Sequence, residues 1–170
     1  MGSLDEDDII IRQCGDSDVD SIYEIINNAA QAYKGVIPDD RWHDPYMSRA
    51  ELGQEIRDGV VFWGAVDDRV LVGVMGVQDK NDVVLIRHAY VRTDRRNSGI
   101  GSRLLRFIES AIDKPILVGT WADATWAIAF YQKNGYHLVS QLEKDRLLRK
   151  YWTISDRQIE TSVVLARGRD

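Results

Sequence analysis

Three strand-forming runs stand almost end to end in this sequence: Val60 to Val66, Val70 to Gln78 and Val83 to Val91. Asp67-Asp68 and then Asp79 to Asp82 are the only links between them, and links that short force antiparallel neighbours. The third run leads through Arg92 to Ser98 into an amphipathic helix with Ile100, Leu104, Leu105, Ile108 and Ile112 on one stripe. Pro115 ends that helix. Ile116 to Trp121 is then a buried-type strand reached by a crossover helix, which predicts a parallel neighbour. Hairpins followed by a crossover predict a mixed sheet.

The flanking segments complete an α/β fold. Asp8 to Arg12 reads as a first strand. Asp18 caps a helix that carries Val19, Ile22, Ile25, Ile26, Ala29 and Ala30 at helical spacing and ends near Tyr33-Lys34-Gly35. Gly35 to Pro45 is a loop, and Ser48 with Glu51 forms a capping box for a helix from Arg49 to Asp58. A helix from Thr125 to Asn134 stops at Gly135. Tyr136 to Val139 and Glu160 to Ala166 read as the last strands, around a charged helix from Glu143 to Trp152, and the final strand is expected to end the sheet. With no repeat or linker, residues 1–170 are expected to form a single domain, core 8–139 and a C-terminal helix and strand in 140–170, with helices on both sheet faces.

Composition narrows the function classes. Net charge is −5, which disfavours a nucleic-acid partner. The longest apolar runs are strand-sized, so no membrane partner is expected. The acidic start Met1 to Asp8 reads as neither a signal nor a transit peptide. One cysteine, Cys14, and three scattered histidines offer no metal site, and a reduced cytoplasmic setting is the expectation.

Arg96-Asn97-Ser98-Gly99-Ile100-Gly101 lies between an apolar strand and an amphipathic helix. A helix N-terminus offers unpaired N–H groups and partial positive charge to an anion. Gly99 and Gly101 let the backbone come close to a diphosphate, and Arg96 adds a charged donor. The same glycines would also serve a plain turn into a helix. A dinucleotide fingerprint is ruled out by Leu104, and a Walker A loop by Gly101-Ser102-Arg103.

The run Val91-Arg92-Thr93-Asp94-Arg95-Arg96-Asn97-Ser98-Gly99-Ile100-Gly101 resembles the acetyl-CoA signature of the GNAT superfamily of N-acetyltransferases. Ala127-Ile128-Ala129-Phe130-Tyr131-Gln132-Lys133-Asn134-Gly135-Tyr136 is similar to that family's tyrosine helix, at the expected distance. The resemblance covers roughly residues 8 to 139 and implies a GNAT-like acyl-CoA N-acyltransferase fold with acetyl-CoA as co-substrate and no metal. It implies that Arg96, Asn97, Ser98, Gly99, Ile100, Gly101 and Ser102 hold the diphosphate. Ala89, Tyr90 and Val91 would offer backbone to pantetheine at a strand bulge, with the Ala89 N–H polarising the thioester. Tyr131 would protonate the departing thiolate. The strand positions that often carry a base in the family are Leu85 and Arg87 here, and neither is one. His88 is the nearest titratable group, although strict alternation turns it to the face opposite Arg87 unless the bulge re-aims it. Ala124 stands where many members have an Asn that touches the cofactor.

The resemblance places Tyr33, Trp42, His43, Tyr46 and Trp121 near the acceptor, where Trp42 and Tyr46 would equally serve to pin the loop. Arg87 would suit an acceptor carboxylate, or pair with a neighbouring acid. Leu142, Leu148 and Trp152 of the charged helix would pack on their own domain or on a second copy, so a homodimer is a further expectation. The favoured reading is an N-acetyltransferase acting on a small primary amine by direct transfer in a ternary complex. Acetylation of a protein or peptide comes next, and a non-catalytic CoA sensor last.

Overall fold

The two short turns govern the architecture. In the computed structural model, which describes residues 8–96 and 98–168, Asp68 and Arg69 take φ of 46° and 68°. Two consecutive positive φ values match the right-handed twist of paired strands. They join β2 (Val61–Asp67) to β3 (Val70–Asp79), with Trp63 opposite Met75. β1 (Ile9–Gln13) pairs antiparallel with β2, Ile11 facing Ala65. β4 (Val84–Val91) follows, and its first three residues pair in parallel with Ile116–Val118 of β5 (Ile116–Trp121). With β6 (His137–Leu138) and β7 (Ser162–Arg167), the strand order is β1-β2-β3-β4-β5-β7-β6. The fold is therefore a mixed α/β sheet flanked by helices, as the turn spacing predicts.

The chain forms two compact units. The first comprises residues up to Ala32, His43–Gln78 and Arg87–Asp113. Its helices are α1 (Val19–Ala30), α2 (Arg49–Arg57) and α3 (Ile100–Ser110). α1 drives Ile22, Ile25 and Ile26 into a core with Met47, Leu52, Val60, Phe62, Leu71 and Val74. Burying such a side chain is worth about 1.5–3 kcal/mol. Ser48 caps α2 by accepting from the Glu51 N–H at 3.1 Å, as the capping box predicts. α3 buries Ile100, Leu104, Leu105 and Ile108. Gly73 lets it come close, because a Cβ there would lie 3.1 Å from Ile100 Cγ2.

Gly76 is more tightly enclosed. A Cβ would stand 2.7 Å from the Arg87 carbonyl oxygen and 2.9 Å from Val60 Cγ1. Gly76→Ala is expected to cost about 2 kcal/mol or more, the scale of overpacking a rigid core. Denaturant unfolding checks this, and an unchanged midpoint would mean that β4 can shift away from β3.

The second unit comprises Tyr33–Trp42, Asp79–Ile86 and Lys114 onward. It carries α4 (Thr125–Lys133), α5 (Gln141–Tyr151) and α6 (Asp156–Glu160). Val83, Leu85, Leu117, Leu147, Leu148, Ile159 and Val164 form its core. Trp152 packs on that core, 3.2 Å from where a Gly119 Cβ would be, while Leu142 is 83% exposed.

Two sequence expectations are corrected here. Glu160 belongs to α6 and not to the last strand, because Ser155 accepts from the Gln158 N–H at 3.2 Å and starts a helical turn. That strand, β7, does not end the sheet. It lies between β5 and β6, with Val118 facing Leu165 and His137 facing Ala166, and β6 is the edge.

Candidate functional site

After β4, Arg92, Thr93 and Arg95 anchor a turn on three elements of the first unit. The Arg92 N–H donates to the Val72 carbonyl at 2.9 Å. Thr93 donates from its N–H and its hydroxyl to Asn28 Oδ1 of α1, each at 3.2 Å. Arg95 Nη2 lies 2.5 Å from Asp67 Oδ2 at the end of β2. Ser98 Oγ donates to the Arg95 carbonyl within the turn. Gly99, at φ 81°, then opens α3 in the left-handed region, where a residue with a Cβ is strained.

This anchoring spends Arg95 and leaves Arg96 exposed. Among the described residues Arg96 has no ion-pair or hydrogen-bond partner. Within 4 Å of a Gly99 Cβ there would be no atom at all. The first intrahelical bond is that of Arg103 N–H to the Gly99 carbonyl, so the N–H groups of Ile100 and Gly101 stand ahead of the helix ladder. An exposed cation, a bare backbone and the N–H groups that open α3 fit a diphosphate. Asn97, also expected here, lies outside the described residues.

Upstream, β4 breaks its own alternation. His88 takes φ 54° in the middle of the strand, which turns its side chain to the face of Arg87. Both then meet Glu55 of α2. Arg87 Nη2 is 3.2 Å from Glu55 Oε1, and His88 Nε2 is 3.2 Å from Oε2. The second contact is off-line, so those two buried atoms form no hydrogen bond despite their closeness. Phe62 stacks on the imidazole, centroids 6.3 Å apart at 27°. Burial pushes the Glu55 carboxyl up, and the close imidazole of His88 with the charge of Arg87 outweighs it, holding the group below the usual carboxylate range.

The left-handed φ of His88 thus re-aims its side chain. Arg87 also donates to Gln78 Oε1 at 3.1 Å, so its charge is committed to an acid and an amide of the protein. Beyond His88, Ala89, Tyr90 and Val91 are half-buried. Tyr90 packs toward the core and Val91 toward Gly73. The parallel ladder of β4 stops at Ile86. Sequence reasoning missed Glu55. Its signal was a carboxylate one turn beyond Leu52, on the inward stripe of α2, where Ile56 is instead 37% exposed.

In the second unit, Tyr131 is the buried residue of α4. The helix ends in a complete Schellman motif around Gly135, at φ 92°. The Tyr136 N–H reaches the Tyr131 carbonyl at 3.0 Å and the Gly135 N–H that of Gln132 at 3.1 Å. The Tyr136 ring then meets the Tyr131 ring at 5.5 Å, and Phe130 meets it at 5.0 Å. Burial, with Tyr33 and Tyr136 nearby, pushes the Tyr131 phenol far above its ordinary value, so it is a neutral donor. Tyr33 packs edge-on against Trp126 at 5.0 Å. Trp121 is half-buried on β5 opposite Ser162. In the first unit, Tyr46 lies against the core and His43 Nδ1 is 2.7 Å from the Pro45 carbonyl, which favours a pinned loop there.

Residues 58–138 match the acetyltransferase (GNAT) domain family. No curated protein sequence matches the chain significantly. Among solved structures, the PaiA N-acetyltransferase of Thermoplasma acidophilum, in complex with coenzyme A, superposes with a TM-score of 0.72 at 18% identity, covering 95% of this chain and 99% of that one. A GNAT family acetyltransferase from Elizabethkingia anophelis with acetyl-CoA bound gives 0.65 at 18%, over 96% and 100%. The ribosomal-protein-S18-alanine N-acetyltransferase of Escherichia coli gives 0.65 at 14%, over 94% and 93%. At such identities the likeness is one of fold. Residues 58–138 thus match the GNAT acetyltransferase domain, and the chain shares the fold of these acetyltransferases.

Proposed function

We propose, from the premise of a GNAT domain, that this chain transfers the acetyl group of acetyl-CoA to a primary amine of a small molecule, directly and within a ternary complex. The observation that carries the reading is the anchored turn, which presents exposed Arg96 and the N-terminus of α3 next in sequence to β4 with its left-handed His88. Acetyl-CoA supplies an activated thioester. Gly99, Ile100, Gly101 and Ser102, with Ser98 and Arg96, hold its diphosphate, and the Ala89–Val91 backbone takes the pantetheine amides in the manner of an added strand. The Ala89 N–H is then the donor for charge developing on the carbonyl oxygen.

Proton traffic falls to two side chains. His88 takes the proton that the acceptor nitrogen loses as the N–C bond forms. Tyr131 gives its phenolic proton to the sulfur as the C–S bond breaks, and recovers one from solvent. A small amine is favoured over a peptide because the aromatic residues assigned to the acceptor, Tyr33 and Trp121, are partly buried and not spread over an open surface.

Release of free thiol from acetyl-CoA, followed against a panel of amines, amino acids and short peptides, tests this. Turnover with small amines alone is the expected result. Turnover with peptides alone would transfer the reading to protein acetylation. Tight CoA binding with no release across the panel would favour a sensor.

A further inference from the structure

We propose that Glu55 is a positioning residue for His88, holding the imidazole with Nε2 protonated and facing α2 so that Nδ1 is the basic nitrogen. This rests on the reading of His88 as the base. Three observations carry it. His88 is held at φ 54° within a strand, a strained conformation for a residue with a Cβ that persists only where the surroundings over-determine it. The result of that strain is specific, since it brings the ring to the face of Arg87 and within 3.2 Å of Glu55. Glu55 Oε2 and His88 Nε2 are both buried with no hydrogen-bond partner elsewhere. Buried polar atoms without partners are costly, so each is the natural mate of the other once the ring rotates slightly into line.

The surroundings decide which nitrogen works. Glu55 faces the ring from α2, Arg87 adjoins it on β4, and Phe62 of β2 covers one ring face. Arg87 bridges Glu55 Oε1 and Gln78, and Gln78 Nε2 donates in turn to the Asp58 carbonyl at 3.0 Å. The carboxylate is thereby fixed from one side, with Oε2 left to His88. In a neutral imidazole the nitrogen that faces a carboxylate carries the proton, which puts the lone pair on the other. Nδ1 then accepts the proton from the acceptor amine and passes it to solvent.

The experiment is a 15N-detected titration of the His88 ring, assigned against His88→Gln, in the wild type, Glu55→Gln and Glu55→Asp. The chain has three histidines, so assignment is direct. The wild type should show the Nε2–H tautomer at high pH. In Glu55→Gln the ring should lose its preference for the Nε2–H tautomer, since an amide can donate as readily as accept, and Glu55→Asp should recover part of it. The kcat/KM of Glu55→Gln should fall with the tautomer. An unchanged tautomer in folded Glu55→Gln would overturn the proposal. A tautomer that changes while kcat/KM stays put would overturn His88 as the base, and the role of Glu55 with it, yet leave acetyl transfer standing. Absence of turnover with every amine would instead remove the function, and the titration would still decide whether Glu55 sets the ring.

Discussion

Gly99→Glu is expected to raise the Kd for acetyl-CoA at least 100-fold in a chain that still folds. Two effects act at this position, and they can be separated. Gly99 sits at φ 81°, so any side chain there costs about 1–2 kcal/mol of backbone strain. That is a fraction of the roughly 5–15 kcal/mol that holds a domain together. A Cβ would touch nothing, since no atom lies within 4 Å of it. Gly99→Ala therefore carries the strain alone and should weaken binding by about tenfold or less, the equivalent of ~1.4 kcal/mol. The glutamate adds bulk and a negative charge at the mouth of α3. Its carboxylate can take the same helix N-terminal N–H groups that a diphosphate would use and so compete from within the protein. Calorimetric titration of both variants checks the contrast. Retained affinity in folded Gly99→Glu would move the diphosphate away from this turn.

What the sequence made legible was its local chemistry. The Asp68 hairpin, the Ser48 cap and the Gly135 stop each follow from a few adjacent residues, and each stands within a residue or two of its expected place. The position of β7 was not legible. Strand order depends on which apolar runs meet across the sheet, and nothing within Ser162–Arg167 marks it as interior. α6 was hidden because five residues carry too little periodicity, although Ser155 and Gln158 were a readable cap. Glu55 shows the other limit. Alternation along β4 puts His88 and Arg87 on opposite faces, and only a left-handed residue at His88 brings both to α2. The family resemblance supplied the idea of a bulge. No spacing in the sequence says which acid it would meet.

Tyr131→Phe is expected to lower turnover by about 100-fold, the lower end of what a positioned acid contributes, with acetyl-CoA affinity within about twofold of the wild type. The packing argues that little else would change. The Schellman turn at Gly135 depends on backbone bonds, and the ring contacts to Phe130 at 5.0 Å and Tyr136 at 5.5 Å need no hydroxyl. The loss should therefore appear in kcat and not in stability. The pH profile gives a sharper test. Because burial drives the phenol far above its ordinary value, Tyr131 stays protonated across any assay range and contributes no limb to the profile. Tyr131→Phe should lower the whole curve in parallel without moving either limb. A variant whose basic limb shifts would show that the phenol titrates in the working range, contrary to its burial. Unchanged kcat would return Tyr131 to the role that its surroundings also support, that of an aromatic anchor for α4.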